Sequence, residues 1–223
     1  MRAVHTGKVT TTIIVVDDDS FARMTLTETL KGQGLRVVAS CSSAHDALIA
    51  HRDKRPLAAL IDLDLGKGPT GLDVATAMRR QNPTVGIVFL TSYRDPRLVA
   101  SRGQQPPLGA QYLVKSDLAD PHTLVSATDK SISAKKNTSA WDTPVNDLSA
   151  LTNTQIETLK LVAEGHSNKE IARLRHVKEK SVEQTVARIA QKLGIVNRLE
   201  TNQRVAIAKA FFRNLGVTLH DSQ

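Results

Sequence analysis

The stretch Ile13–Met24, IIVVDDDSFARM, runs four apolar residues straight into three aspartates. A short apolar run without polar alternation is the pattern of a strand buried on both faces, as in parallel sheets covered by helices. Like charges repel, so three adjacent carboxylates at the end of such a strand need a reason to be there. The residues that follow repeat the theme. SFARMTLTETLKGQG has helical spacing and stops at Gly32 and Gly34, LRVVASC is strand-like and SAHDALIAHRDK helix-like. LAALI, VGIVFL and QYLV read as three further strands, separated by the helical patterns GLDVATAMRRQN and DPRLVASRG and followed by DPHTLVSATDKSI. Five β/α alternations of this kind predict a doubly wound, five-stranded parallel sheet of flavodoxin-like type over residues 11–133.

The texture then changes. SAKKNTSAWDTPVNDLSA has no sustained periodicity, and residues 134–148 are expected to be a linker in which Trp141 packs against one domain. Residues 149–215 carry only helical patterns and are expected to form an all-α domain. The 223-residue chain is long enough for two such domains, and its single cysteine, Cys41, excludes an internal disulfide. The N-terminal segment lacks the apolar core of a signal peptide and no apolar run is long enough to span a bilayer, so a cytoplasmic protein without a membrane partner is expected. The net charge is +8, and residues 135–223 are the more basic part, with 14 Lys and Arg against 9 Asp and Glu. That bias suggests a polyanionic partner, although seven aromatic residues offer few platforms for unpaired bases.

In an open parallel sheet, ligands gather beyond the carboxyl ends of the strands. Asp17, Asp18 and Asp19 follow the first strand, Asp62 the third, Thr91 the fourth and Lys115 the fifth. Clustered carboxylates either hold a proton or face a cation. Mg²⁺ needs only one or two carboxylates plus phosphate oxygens. A carboxylate can also serve as a nucleophile and carry a phosphoryl group as an acyl phosphate. The acidic run therefore reads as a metal cradle beside a phosphorylatable aspartate.

These residues, in this order and strand context, resemble the receiver domain of bacterial two-component response regulators, and the resemblance covers about the first 130 residues. It implies that Asp62 accepts phosphate from a histidine kinase, with Thr91 and Lys115 beside it. It further implies that Asp18, Asp62 and the Asp64 backbone carbonyl bind Mg²⁺, Asp17 acting through a bound water, and that Thr91 and Tyr112 form the switch. Asp19 lies outside the pattern and is better read as a charge at a helix N-terminus. Two positions depart from the family: Ser116 stands where proline with a cis bond is usual, and Gly66 stands where proline is common, in a loop one residue longer.

In the C-terminal part, Thr152 with Gln155 and Ser167 with Glu170 form capping-box signatures. Val182, Val186, Ile189 and Leu193 make one apolar stripe on a helix that Gly194 follows. Periodicity alone would fit any small helical bundle. The longer pattern from Leu151 to Phe212, including SNKEIA, KSV and KLG, resembles the LuxR-type helix-turn-helix domain, and the whole chain is similar to NarL/FixJ-type response regulators.

The resemblance implies binding of double-stranded DNA through Lys169, Arg173, Lys180, Ser181, Glu183, Gln184, Arg188 and Lys192, with Arg175 nearby, and a homodimer through the last helix, Arg198 to Phe212, with Ala206 and Ile207 at the contact. Glu183 and Ala187 replace basic residues common in the family, and Lys178 stands at the helix cap. Those replacements motivate a rival in which the helical domain binds protein within a phosphorelay. No second catalytic constellation appears, so a self-contained enzyme is the poorer reading.

Overall fold

The computed structural model describes residues 10–66, 68–98, 104–133, 148–195 and 202–215. All of the expected linker except Leu148 lies outside the described residues, Trp141 included, as does Arg198. The chain divides into two compact units. Among the described residues, the first holds everything up to Thr91 and residues 104–133, and the second holds Ser92–Leu98 together with residues 148–195 and 202–215.

The first unit alternates β1 (Thr12–Val16), α1 (Ser20–Gly32), β2 (Arg36–Cys41), α2 (Ala44–Lys54), β3 (Ala58–Ile61), α3 (Gly71–Gln81), β4 (Gly86–Thr91), β5 (Gln111–Val114) and α4 (His122–Ser133). The strands are all parallel in the order β2-β1-β3-β4-β5, the flavodoxin-like doubly wound order. Ile13 to Val16 are at most 1% exposed, because β1 is flanked by strands on both sides and helices on both faces. Alternation along the strands sends Ile13, Val15, Leu60, Val88 and Leu90 to one face, where they pack with Leu30 of α1 and Leu124 of α4.

The second unit consists of α5 (Asn153–Ala163), α6 (Asn168–Leu174), α7 (Glu179–Lys192) and α8 (Gln203–Asn214). Both expected capping boxes are present, Thr152 with Gln155 and Ser167 with Glu170, and each satisfies two backbone N–H groups that the helix start leaves open. Val182, Val186 and Ile189 of α7 pack with Ile156 and Leu159 of α5, Ile171 of α6 and Ile207 of α8. Ile207 is fully buried in this core, so it is not the partner contact expected of it, and Val205 is the large apolar residue that α8 leaves exposed. In the turn between α6 and α7, His176 adopts φ 52°, a left-handed conformation that histidine takes more readily than most residues.

Of the expected helix DPRLVASRG only residues 95–98 are described, and they hold a 3₁₀ turn, Pro96–Leu98; the remainder lies outside the described residues. The Asp95 carboxylate captures the Arg97 N–H at 2.9 Å and pairs with its guanidinium at 2.7 Å, which fixes a turn and competes with helical bonding. The same guanidinium donates to the carbonyls of Leu151 at 2.6 Å and Leu148 at 2.8 Å, while Leu98 joins the helical core. The segment after β4 is thus built into the second unit. Replacing Arg97 with alanine strips the buried Asp95 of its ion pair and two carbonyls of a charged donor. A loss of about 3 kcal/mol from the helical unit is expected, read by calorimetry as a lowered transition for that unit.

Candidate functional site

The strand ladder itself positions the first two functional carboxylates. Val16 and Ile61 are the last paired residues of β1 and β3. One step further, the Asp62 N–H still donates to the Val16 carbonyl at 2.8 Å, and the Asp17 N–H donates to Cys41 of β2 at 3.2 Å. Asp17 and Asp62 therefore leave adjacent parallel strands side by side, both buried, at 1% and 8% exposure. Thr91, fully buried, ends β4 opposite Val114, and Lys115 follows at the end of β5. The Lys115 ammonium reaches back to both carboxylates, 2.8 Å from Asp17 Oδ2 and 2.7 Å from Asp62 Oδ2.

The three consecutive aspartates turn out to have three jobs. Asp17 takes Lys115 and accepts the Asp19 N–H at 3.0 Å. Asp19 caps α1, accepting the N–H groups of Phe21 and Ala22, each at 2.8 Å. The Ala22 hydrogen bond is the main reason its carboxyl lies below the usual aspartate range. Asp18 is exposed and carries none of these structural bonds, yet one carboxylate oxygen each of Asp17, Asp18 and Asp62 lie within 4.8 Å of one another. Arg23 closes the turn by donating to the Asp17 carbonyl at 2.6 Å.

The electrostatics follow from burial. Withdrawal from water pushes the Asp62 carboxyl above the ordinary aspartate value, and the Lys115 hydrogen bond pulls it only part of the way back. For Lys115, burial favours the neutral amine, but the carboxylates of Asp17 and Asp62 outweigh it and hold the ammonium above the usual lysine value. Three carboxylates and one ammonium leave an excess of two negative charges when all are ionised, which suits one divalent cation with oxygen ligands.

The loop after β3 completes the pocket. A Cβ on Gly71 would lie 1.9 Å from the Asp62 carbonyl oxygen, so α3 can start against the acidic site only with glycine there. Gly66 adopts φ 72°, which proline cannot reach, and a Cβ there would lie 3.2 Å from an Asp18 carboxylate oxygen. Asp64 is exposed in this loop and its N–H donates to Asp62 Oδ1 at 3.3 Å. The Lys115–Ser116 bond is trans, and Lys115–Asp117 forms a 3₁₀ turn. Tyr112 is half-buried on β5, paired with Phe89. Sequence reasoning missed Arg23 and Gly71. A glycine directly after the helix-capping Thr70 was the available signal for the second.

The helical unit presents a second surface. On α7, Lys180, Ser181, Glu183, Gln184 and Arg188 are exposed, opposite the buried Val182, Val186 and Ile189. Lys169 and Arg173 of α6 are exposed beside them. Lys178 holds the cap position of α7 with no side-chain cap. Two of the expected basic contacts are committed elsewhere: Lys192 donates to the Ala150 carbonyl at 2.8 Å and Gln155 Oε1 at 3.0 Å, and Arg175 donates to Thr158 Oγ1 at 2.6 Å. Both brace α5 against the helix-turn-helix.

Comparison with known proteins matches each unit separately. Residues 13–117 match the response regulator receiver domain, and residues 149–205 match the LuxR family of bacterial regulatory proteins. The response regulator protein VraR of Staphylococcus epidermidis is 28% identical over 221 residues, covering 91% of this chain and 97% of that protein. VraR of Staphylococcus aureus strain Mu3 is 26% identical over the same shares. A solved structure of two RcsB dimers bound to two parallel DNAs superposes with a TM-score of 0.57 at 21% identity, covering 91% and 98% of the two chains. It supports the fold assignment. No helix among the described residues is long and apolar enough to cross a membrane.

The raised pKa of Asp62 has a consequence for stability. A carboxyl whose folded pKa is raised holds its proton more tightly in the folded state, so stability falls as pH rises through that pKa. Asp62→Asn, which keeps an oxygen for Lys115, should therefore raise the receiver's melting temperature at neutral pH. The advantage over the native chain should shrink as pH falls toward the unfolded aspartate value. Thermal melts of both chains across the acidic range measure this.

Proposed function

Because the chain belongs to the two-component response regulators that join a receiver domain to a LuxR-type DNA-binding domain, we propose that a histidine kinase controls its DNA binding by phosphorylating Asp62. The observation that carries this reading is the Lys115 ammonium set between Asp17 and Asp62, with Asp18 open beside them. In the transfer, an Asp62 carboxylate oxygen attacks phosphorus, the donor's N–P bond breaks, and an acyl phosphate forms. Lys115 is placed to turn from the carboxylate to a phosphoryl oxygen, and the Thr91 hydroxyl lies at the neighbouring strand end. Asp18, Asp62 and the Asp64 carbonyl would hold Mg²⁺, with Asp17 beside them, and the ion would supply positive charge at the site. Thr91 and Tyr112 carry the change away from the pocket.

In this reading residues 11–133 are the receiver, 134–148 the linker and 149–215 the DNA-binding domain of a cytoplasmic transcription regulator that is not itself an enzyme. Helix α7 enters the major groove of double-stranded DNA. Lys169, Arg173, Lys180, Ser181 and Arg188 contact phosphates, and Gln184 faces the bases. Glu183, beside Glu179 one turn earlier, repels phosphates and keeps affinity for arbitrary duplexes low. Lys192 holds the fold of the domain. Two subunits pair through α8 to read two half-sites about one DNA turn apart, roughly 10 bp.

With Mg²⁺ and a small phosphodonor, a single base-labile phosphate should appear on the native chain and be absent from Asp62→Asn. Label persisting in that variant would reject the assignment. For the dimer, Val205→Glu should abolish cooperative binding to paired half-sites while phosphorylation proceeds as before. Ile207→Glu should instead unfold the helical unit. Cooperativity unchanged in Val205→Glu would move the subunit contact off α8.

A further inference from the structure

The DNA-binding reading leaves open which base pairs the protein selects, and α7 itself bears on that. Its buried positions, Val182, Val186, Ile189 and Ala190, define one side of the helix. At 100° per residue, Gln184 lies opposite their centre, with Lys180, Ala187 and Gln191 around it, all exposed. The acidic Glu183 lies at one edge of this outward face, and Ser181 and Arg188 along the other. No hydrogen bond within the described residues engages the Gln184 amide, so its donor and acceptor are both open.

We propose that Gln184 and Ala187 make this helix select an A·T step in the major groove: Gln184 reads an adenine, and Ala187 packs on the methyl group of a neighbouring thymine. This rests on the DNA-binding reading. A glutamine amide offers one acceptor and one donor side by side, which matches adenine N6–H and N7 in a bidentate pair, whereas guanine presents two acceptors, O6 and N7. Ala187 stands three residues on, on the same face. Its single methyl has no polar group to satisfy and fits the thymine C5-methyl, an apolar contact that cytosine lacks. Lys180 and Arg188 lie one turn before and one turn after Gln184, placed to reach the backbone on either side and fix the depth at which the amide enters. Glu183, displaced toward the acidic edge, is not at the centre of the face, which leaves Gln184 as the central reader.

The test uses the full chain, treated with acetyl phosphate and Mg²⁺, in selection from random duplexes followed by titration of the preferred duplex. Selected half-sites should share an adenine next to a thymine. Replacing that adenine with 7-deazaadenine, which removes only N7, should weaken binding about 5- to 150-fold, and Gln184→Ala should bind both duplexes alike. Replacing the thymine with uracil should weaken the native chain and leave Ala187→Ser indifferent. Binding with no shared adenine, or with no loss on 7-deaza substitution, overturns the inference while the DNA-binding reading stands. Binding to no duplex, with or without the phosphodonor, overturns that reading and the inference with it.

Discussion

The receiver unit is organised around one ion-paired group, the Lys115 ammonium held between two buried carboxylates. Neither carboxylate is tolerable alone. Asp17 and Asp62 are almost wholly withdrawn from water, and a buried charge without a partner is costly. The lysine comes from another strand, since Val16 and Ile61, which precede the two aspartates, are committed to the sheet. The order β2-β1-β3-β4-β5 meets this need by ending β1, β3 and β5 on the same edge. The rest of the pocket is arranged to let the strands end there: Asp19 turns the chain into α1, Arg23 holds the Asp17 carbonyl, and Gly71 lets α3 start against Asp62.

Burial and pairing pull in opposite directions at Asp62, and burial is the larger effect. A carboxylate kept above its ordinary pKa is less stable as an ion than it would be in water. That raises its free energy before it bonds to phosphorus. The pocket is thus neither a neutral core nor a saturated salt bridge. Asp18, the one acid of the triplet that takes no part in capping or in the lysine pair, carries its charge on the side open to solvent.

Most of this was legible in the sequence because it rests on strand ends. A strand buried on both faces offers an aspartate no partner within it, so an acid directly after an apolar run marks where the strand ends. Asp17, Asp62 and Lys115 could be placed that way before any coordinates. The two capping boxes were legible for a similar local reason. The features that were not legible depend on partners distant in sequence. Arg97 meets carbonyls more than fifty residues away, so nothing in DPRLVASRG revealed that its described start would be fastened into the second unit. Lys192 and Arg175 look like DNA contacts by composition, and only the fold shows their donors directed at α5. Ile207 was read as a surface residue because a short helix with apolar residues on several sides does not declare which side faces inward.

The segment that follows β4 also bears on how the two units communicate. Thr91 is the last residue of the first unit, and Ser92 the first of the second. From Asp95 to Leu98 the chain is fastened into the helical core by an ion pair, two carbonyl hydrogen bonds and a buried leucine. Under the proposed function, the Thr91 hydroxyl follows the phosphoryl group on Asp62. The backbone that moves with it is three peptide bonds from Arg94, whose N–H is bonded to the Asn214 carbonyl at the end of α8. Coupling through such a path needs no soft surface between domains, because a covalent chain transmits displacement directly. It also requires that the fastened segment have a second arrangement of comparable energy, since a ligand shifts only an equilibrium that already exists. A single 3₁₀ turn, held by a few strong polar bonds and one apolar anchor, is better suited to that than a long packed helix would be.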